Sequence, residues 1–208
     1  PAQHTIIRAT WSIFMTALTS LCVYCGSSTG SDPAHRAAAE RLGRLMAERG
    51  VRLVFGGGRV GLMGVLADAV LDAGGHVTGI IPGHIEEREI GHQQVTELLI
   101  VDNMHERKHK MFELADAFAV LPGGLGTLDE TFEIITWRQL GLHDKPVVLI
   151  DSAGYWKPLE TLLEHVIAGG FADGSARRLY QFVDSVDEVF DVLAKAPPPA
   201  TPARDELI

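Results

Sequence analysis

Pro122-Gly123-Gly124-Leu125-Gly126-Thr127-Leu128-Asp129-Glu130 sets three glycines among four positions, directly after the apolar run Phe118–Leu121 and ahead of the helix-patterned Phe132–Leu140. Backbone without side chains can close on a ligand, and a helix start offers unpaired N–H groups at the positive end of its dipole. The chemistry this favours is phosphate binding. Thr127 can cap the helix or give its hydroxyl to the anion. Glu130, three residues on, can reach back to the Thr127 N–H as a capping box or stand beside the ligand as an acid.

A second constellation, His105-Glu106-Arg107-Lys108-His109, matches H-E-x-x-H, the helical zinc pair with a glutamate base. Glu113, Glu130 or Glu133 would have to serve as third ligand. Against zinc stand the neighbouring cations Arg107, Lys108 and Lys110, which oppose a metal ion, and an architecture of repeated βαβ units, to which zinc helices of this type do not normally belong. An ordinary solvated helix face accounts for the same residues. What lifts Arg107 and Lys108 above that reading is position, since their helix follows a strand and its first turn faces the crevice that the glycine loop would line.

Gly56-x-Gly58-x-x-Gly61 has the form of a dinucleotide fingerprint between a strand and a helix. The acidic ribose partner expected at the end of the next strand would fall near Gly79–Ile81, where there is none, so bound NAD is disfavoured. Close backbone approach to a mononucleotide, or tight strand-to-helix packing, explains the glycines equally. Cys22 and Cys25 form a C-x-x-C, but Cys22 lies inside the apolar run Leu21–Tyr24. Three residues apart on a strand, the two side chains face opposite ways, which argues against thiol redox chemistry.

These residues must be positioned by the elements around them. Leu21–Tyr24, Arg52–Phe55, His76–Ile81, Leu98–Val101, Phe118–Leu121 and Val147–Ile150 read as short buried strands. Helical patterns cover Pro33–Arg49, Gly61–Ala73, Met104–Ala115, Thr127–Leu140 and Tyr155–Ala168, with Asp184–Lys195 as a last amphipathic helix. Strand and helix in alternation predict an α/β fold, a doubly wound parallel sheet of Rossmann-like type in a single domain. Such sheets bind ligands beyond the carboxyl ends of their strands. Gly26 and Ser27 after the first strand, Gly57, Gly58 and Met63 after the second, and Gly123 onward after the fifth are therefore expected to share one substrate crevice.

The chain has 208 residues, 46% hydrophobic and 22% charged, which suits one well-buried domain over residues 19–195. Residues 1–18 show no period; Met15 is the expected natural start, with Pro1–Phe14 an upstream extension. The proline-rich 196–208 is expected to be a flexible tail. No run approaches the roughly 18 apolar residues of a membrane span. A net charge of −9 with no long Lys/Arg cluster argues against nucleic acid, whereas a small anion needs only a local basic site. Two cysteines without a disulfide framework fit a cytoplasmic setting.

Taken together, Tyr24-Cys25-Gly26-Ser27-Ser28, Gly57–Gly64, Met104–Lys108 and Pro122–Glu130 resemble the LONELY GUY (LOG) family of cytokinin riboside 5′-monophosphate phosphoribohydrolases, from about Leu21 to about Val192. The resemblance implies a Rossmann-like homodimer. It would hydrolyse the N-glycosidic bond of an adenine-type nucleoside 5′-monophosphate, releasing free base and ribose 5-phosphate without a cofactor. It places the catalytic pair on Arg107 and Glu130. Ligand contacts carry to Lys108, Gly124, Leu125, Gly126, Thr127, Leu128 and Asp129, to Thr136, and to Glu89 in Glu89-Ile90-Gly91-His92. Asp129 departs from the second glutamate common in the family, which alters a supporting contact and keeps the acid. Members are often misnamed lysine decarboxylases, yet pyridoxal chemistry needs a Schiff-base lysine with its own partners, for which Lys108 and Lys145 are poor candidates. A nucleotide-sensing or carrier module that binds without hydrolysis is the alternative from another class.

Overall fold

Strands buried on both faces need no polar alternation, and this chain's central strands have none: β1 (Ser20–Tyr24), β3 (Val77–Pro82), β5 (Ala117–Val120) and β6 (Val147–Ile150) are buried at every position. With β2 (Arg52–Phe55), β4 (Glu97–Val101) and β7 (Gln181–Val183) they form one seven-stranded sheet, every pair parallel, in the order β4-β3-β2-β1-β5-β6-β7. The computed structural model describes residues 18–89 and 91–197, and only the backbone of 87–89.

The helices are α1 (Pro33–Glu48), α2 (Gly61–Asp72), α3 (Gly83–Glu89), α4 (Met104–Glu113), α5 (Leu125–Gln139), α6 (Lys157–Ala168) and α7 (Val189–Lys195). They cover both faces. Leu21 and Val23 of β1, with Cys25 just beyond it, pack with α1, α2 and α7, while Cys22 and Tyr24 join the core of α4, α5 and α6. The C-x-x-C thiols are therefore on opposite sides of the sheet, and burial raises both well above the ordinary thiol range.

Strand order reverses between β1 and β5, which is the switch point where a doubly wound sheet opens its crevice. Register brings Tyr24 level with Val120, so the loops leaving these strands start side by side. The Gly26 N–H donates to the Pro122 carbonyl at 3.0 Å across the gap.

Several elements differ from the sequence reading. α5 begins at Leu125, two residues before Thr127, because Gly124 takes the extended N-cap position. β7 and α3 were not expected: three residues at a sheet edge and seven mostly polar ones carry little pattern. Tyr155 lies outside α6, after a 3-10 turn at Ser152–Gly154, and only Val189–Lys195 of the last helix is α, preceded by a 3-10 turn at Val186–Glu188. The extension before residue 18 and most of the tail, from 198, lie outside the described residues. No described helix is long and apolar enough to cross a membrane.

Candidate active site

α4 is set by its own start. Asn103 accepts from the Glu106 N–H at 3.0 Å, and the Glu106 carboxylate accepts from the Asp102 N–H at 2.9 Å. This reciprocal cap orders the first turn, from which Arg107 reaches under the strand ends. Its Nε donates to the Ile80 carbonyl at 3.2 Å and its Nη2 to the Gly56 carbonyl at 3.0 Å. Carbonyls at the carboxyl ends of β3 and β2 thus anchor a guanidinium that is almost wholly buried. Gly56 is the condition for this path: a Cβ there would stand 1.7 Å from Arg107 Nη2.

Across the crevice, Glu130 sits on the second turn of α5. Its Oε1 is 3.9 Å from Arg107 Nη1, a loose ion pair with both side chains nearly buried. Burial pushes the Glu130 carboxyl up to about 7, with Arg107 pulling the other way. A carboxyl that exchanges its proton near neutrality, beside a fixed cation, is equipped for acid, base or charge-stabilising work. The capping-box reading of Glu130 does not hold, because Thr127 is inside the helix and Gly124 is its N-cap.

Lys108, next to Arg107, bridges Asp129 at 3.3 Å and Glu133 at 2.8 Å. Partial burial works against its ammonium, but the two carboxylates outweigh that and raise its pKa. A cleft of about 440 Å³ runs beside this network, lined by Asn103, His105, Glu106, Lys108, His109, Glu133 and Trp137.

Gly123 packs against Thr127, whose Oγ1 would lie 2.1 Å from a Cβ at that position; nothing larger than glycine fits. Thr127 is buried, and its carbonyl accepts from the Thr131 hydroxyl at 2.6 Å. Among the described residues no acceptor stands against the N–H groups of Gly124, Leu125, Gly126 or Thr127, and a Cβ added at Gly124 or Gly126 would meet nothing within 4 Å. These are the donors an anion at a helix start would use.

The structure brings Arg107, Lys108, Asp129, Glu130 and the 123–127 loop together, with Gly26 hydrogen-bonded to that loop. Exposed Ser27 follows on the same rim. Gly57 and Gly58 line the end of β2, where Gly58 bridges to Gly91 and the Gly57 carbonyl accepts from His92. Met63 and Leu128 pack with the cores on opposite faces of the sheet. Thr136 is exposed farther along α5. Glu89 ends α3; its side chain lies outside the described residues. In the H-E-x-x-H segment Glu106 is occupied as a cap and His109 faces Glu113 at 3.1 Å. The described residues bring no three His, Cys, Asp or Glu side chains together as a metal cage requires. Sequence reasoning reached Gly56 only through the dinucleotide-like fingerprint and Glu133 only as a conceivable zinc ligand, and gave neither the role it has here, Gly56 as passage for Arg107 and Glu133 as partner of Lys108. The glycine triplet at a strand end was the available signal for the first, and the one-turn spacing from Glu130 for the second.

A family model described as "Possible lysine decarboxylase" matches residues 63–193. The chain is 46% identical over 159 residues to the cytokinin riboside 5′-monophosphate phosphoribohydrolase LOG of Oryza sativa subsp. japonica, covering 76% of this chain and 66% of the rice protein. It is 42% identical over 178 residues to LOG2 of Arabidopsis thaliana, named for the same activity, covering 86% of this chain and 84% of that one. Among solved structures, the molybdenum cofactor carrier protein MCP of Chlamydomonas reinhardtii matches with a TM-score of 0.66 over 86% of this chain and 98% of that one. At 20% identity this is a likeness of fold alone.

Proposed function

Since the chain belongs to the LONELY GUY (LOG) family, we propose that it hydrolyses the N-glycosidic bond of cytokinin riboside 5′-monophosphates and of AMP, releasing free base and ribose 5-phosphate. The observation that carries this reading is the pairing of Glu130 with Arg107 beside a helix start whose N–H groups meet no acceptor among the described residues.

Breaking a ribosyl C–N bond passes through an oxocarbenium-like state, so the site has to stabilise positive charge on the sugar, supply water and help the base depart. Glu130 holds the ribose hydroxyls and stabilises the cation or orients the water. Arg107 positions the nucleotide and offsets negative charge on the departing purine. The 5′-phosphate rests on the N–H groups of Gly124–Thr127, and that remote binding energy holds the anomeric carbon against Glu130.

The family model's description points to lysine decarboxylation, which finds little support here. Lys108 is held as a cation between two carboxylates, and Lys145 donates to the Phe112 carbonyl at 2.7 Å while lying over the Phe112 ring. A Schiff-base lysine needs the reverse, an amine made easier to deprotonate. We further propose a cytoplasmic homodimer, a reading supported by two unpaired buried thiols and by exposed Leu140, Leu162 and Phe171.

Incubation with AMP, isopentenyladenosine 5′-monophosphate and adenosine, followed by chromatography, is the direct test. Free base is expected from both nucleotides and very little from adenosine. Tight nucleotide binding with no base released would make the protein a carrier. Glu130→Gln is expected to retain nucleotide binding and to lower kcat by at least about a hundredfold; near-normal turnover would remove Glu130 from the chemistry.

A further inference from the structure

We propose that Tyr155, which neither the sequence reading nor the mechanism above uses, is a positioning residue for the phosphate seat. Its hydroxyl holds the Gly123–Gly124 peptide in the orientation that turns the Gly124 N–H toward the anion. The inference rests on the phosphate-seat reading and adds a residue to it.

The Tyr155 hydroxyl donates to the Gly123 carbonyl at 2.6 Å, joining the loop after β6 to the loop after β5. A trans peptide points its C=O and N–H in opposite directions. A partner that fixes the Gly123 oxygen on one side therefore fixes the Gly124 N–H on the other, and that N–H has no acceptor among the described residues. Gly124 and its neighbour Gly123 carry no side chain to restrain the peptide themselves, so an external clamp has an effect here that it would lack in a helix interior.

The clamp itself is built with care. Tyr155 follows Ala153, which at φ 56° is the single non-glycine residue with positive φ among the described residues, and Gly154 at φ 74°. A left-handed alanine is strained, and strain of this kind persists where surrounding contacts determine it. Those contacts are present. The Trp156 N–H donates to Asp151 at 2.6 Å, Ser152 Oγ donates to the Ala34 carbonyl at 3.3 Å, and the Tyr155 ring meets Trp156 edge-on with centroids 4.8 Å apart. The ring also packs edge-on against His35 of α1, centroids 5.3 Å apart, and His35 in turn lies against Gly30 of the loop after β1. Tyr155 thus joins the loops that leave β5 and β6 and meets the loop after β1 through His35.

The test is Tyr155→Phe, which keeps the ring and removes the hydroxyl, assayed with AMP and with adenosine and by inhibition with ribose 5-phosphate. A roughly five- to tenfold fall in kcat/KM for AMP is expected, carried by KM, with an equal rise in the inhibition constant of ribose 5-phosphate. The slow adenosine rate should be unchanged. A fall of equal size on both substrates would mean general damage, and no change on either would mean the hydroxyl is idle; each overturns the proposal. Tyr155→Leu is expected to match Tyr155→Phe in the AMP-to-adenosine ratio, and a loss confined to Leu would assign the effect to ring packing instead. If the wild-type protein releases no base, the hydrolase reading has failed. Calorimetric titration of both proteins with ribose 5-phosphate then still decides whether Tyr155 organises the seat.

Discussion

Glu130 is a carboxyl whose fold prefers it protonated, and that preference has a measurable sign. With its pKa raised from 4.5 to about 7 by burial, the stability it contributes is fully present below pH 4.5 and is lost as pH rises through 7. The shift corresponds to about 3 kcal/mol. Glu130→Gln removes the titration, so its stability relative to the native chain should grow by about 3 kcal/mol between pH 4 and pH 9, read from urea unfolding at several pH values. A constant difference would mean that folding leaves the Glu130 pKa unshifted. For catalysis by the carboxylate form, kcat/KM should rise with pH through about 7 in the free enzyme. Gly56→Ala probes the other half of the pair: the added methyl displaces the Arg107 guanidinium, and kcat should fall by more than about tenfold while Glu130 keeps its place. Glu130 drew notice in the sequence because it follows a glycine loop and Arg107 because its helix follows a strand, and the family resemblance is what paired them. The service Gly56 performs was not legible, because what it admits comes from a residue 51 positions away.

At the scale of elements, the strands were legible as apolar runs and the long helices as periodic ones, since burial on two faces and on one face leaves those patterns. Starts and short pieces were harder. Thr127 looks like a cap by residue type, but Gly124 can be extended and admit an earlier first turn, which only the packed loop reveals. α4 is the element on which the site leans most, for its first two turns carry Arg107 and Lys108. Asn103→Ala removes its cap, and a loss of about 1 kcal/mol in unfolding free energy is expected. Because the Ile80 and Gly56 carbonyls hold the guanidinium independently, turnover should drop less than tenfold; a drop as deep as that of an Arg107 variant would show that the cap, rather than the strand ends, sets the arginine.

For the molecule as a whole, alternation of strands and helices sufficed to expect a doubly wound sheet, and the reversal between β1 and β5 puts the glycine loop where such a fold opens. Strand order itself was not legible, because pairing across the sheet leaves no mark in a single chain's local pattern. The proposed dimer is checked by light scattering on the eluting protein, with a mass twice the 22.5 kDa of one chain expected and a monomer at micromolar concentration contradicting it. The ion-paired side chains that meet in the crevice, Arg107, Lys108, Asp129, Glu130 and Glu133, all fall within residues 107–133, on the two helices that flank β5. What β2 and β3 give to Arg107 is only peptide oxygen. On the proposed mechanism the reactive equipment is therefore a contiguous cassette seated in a generic frame, and a chimera that exchanges this stretch with a relative should import the donor's turnover while keeping the recipient's thermal behaviour.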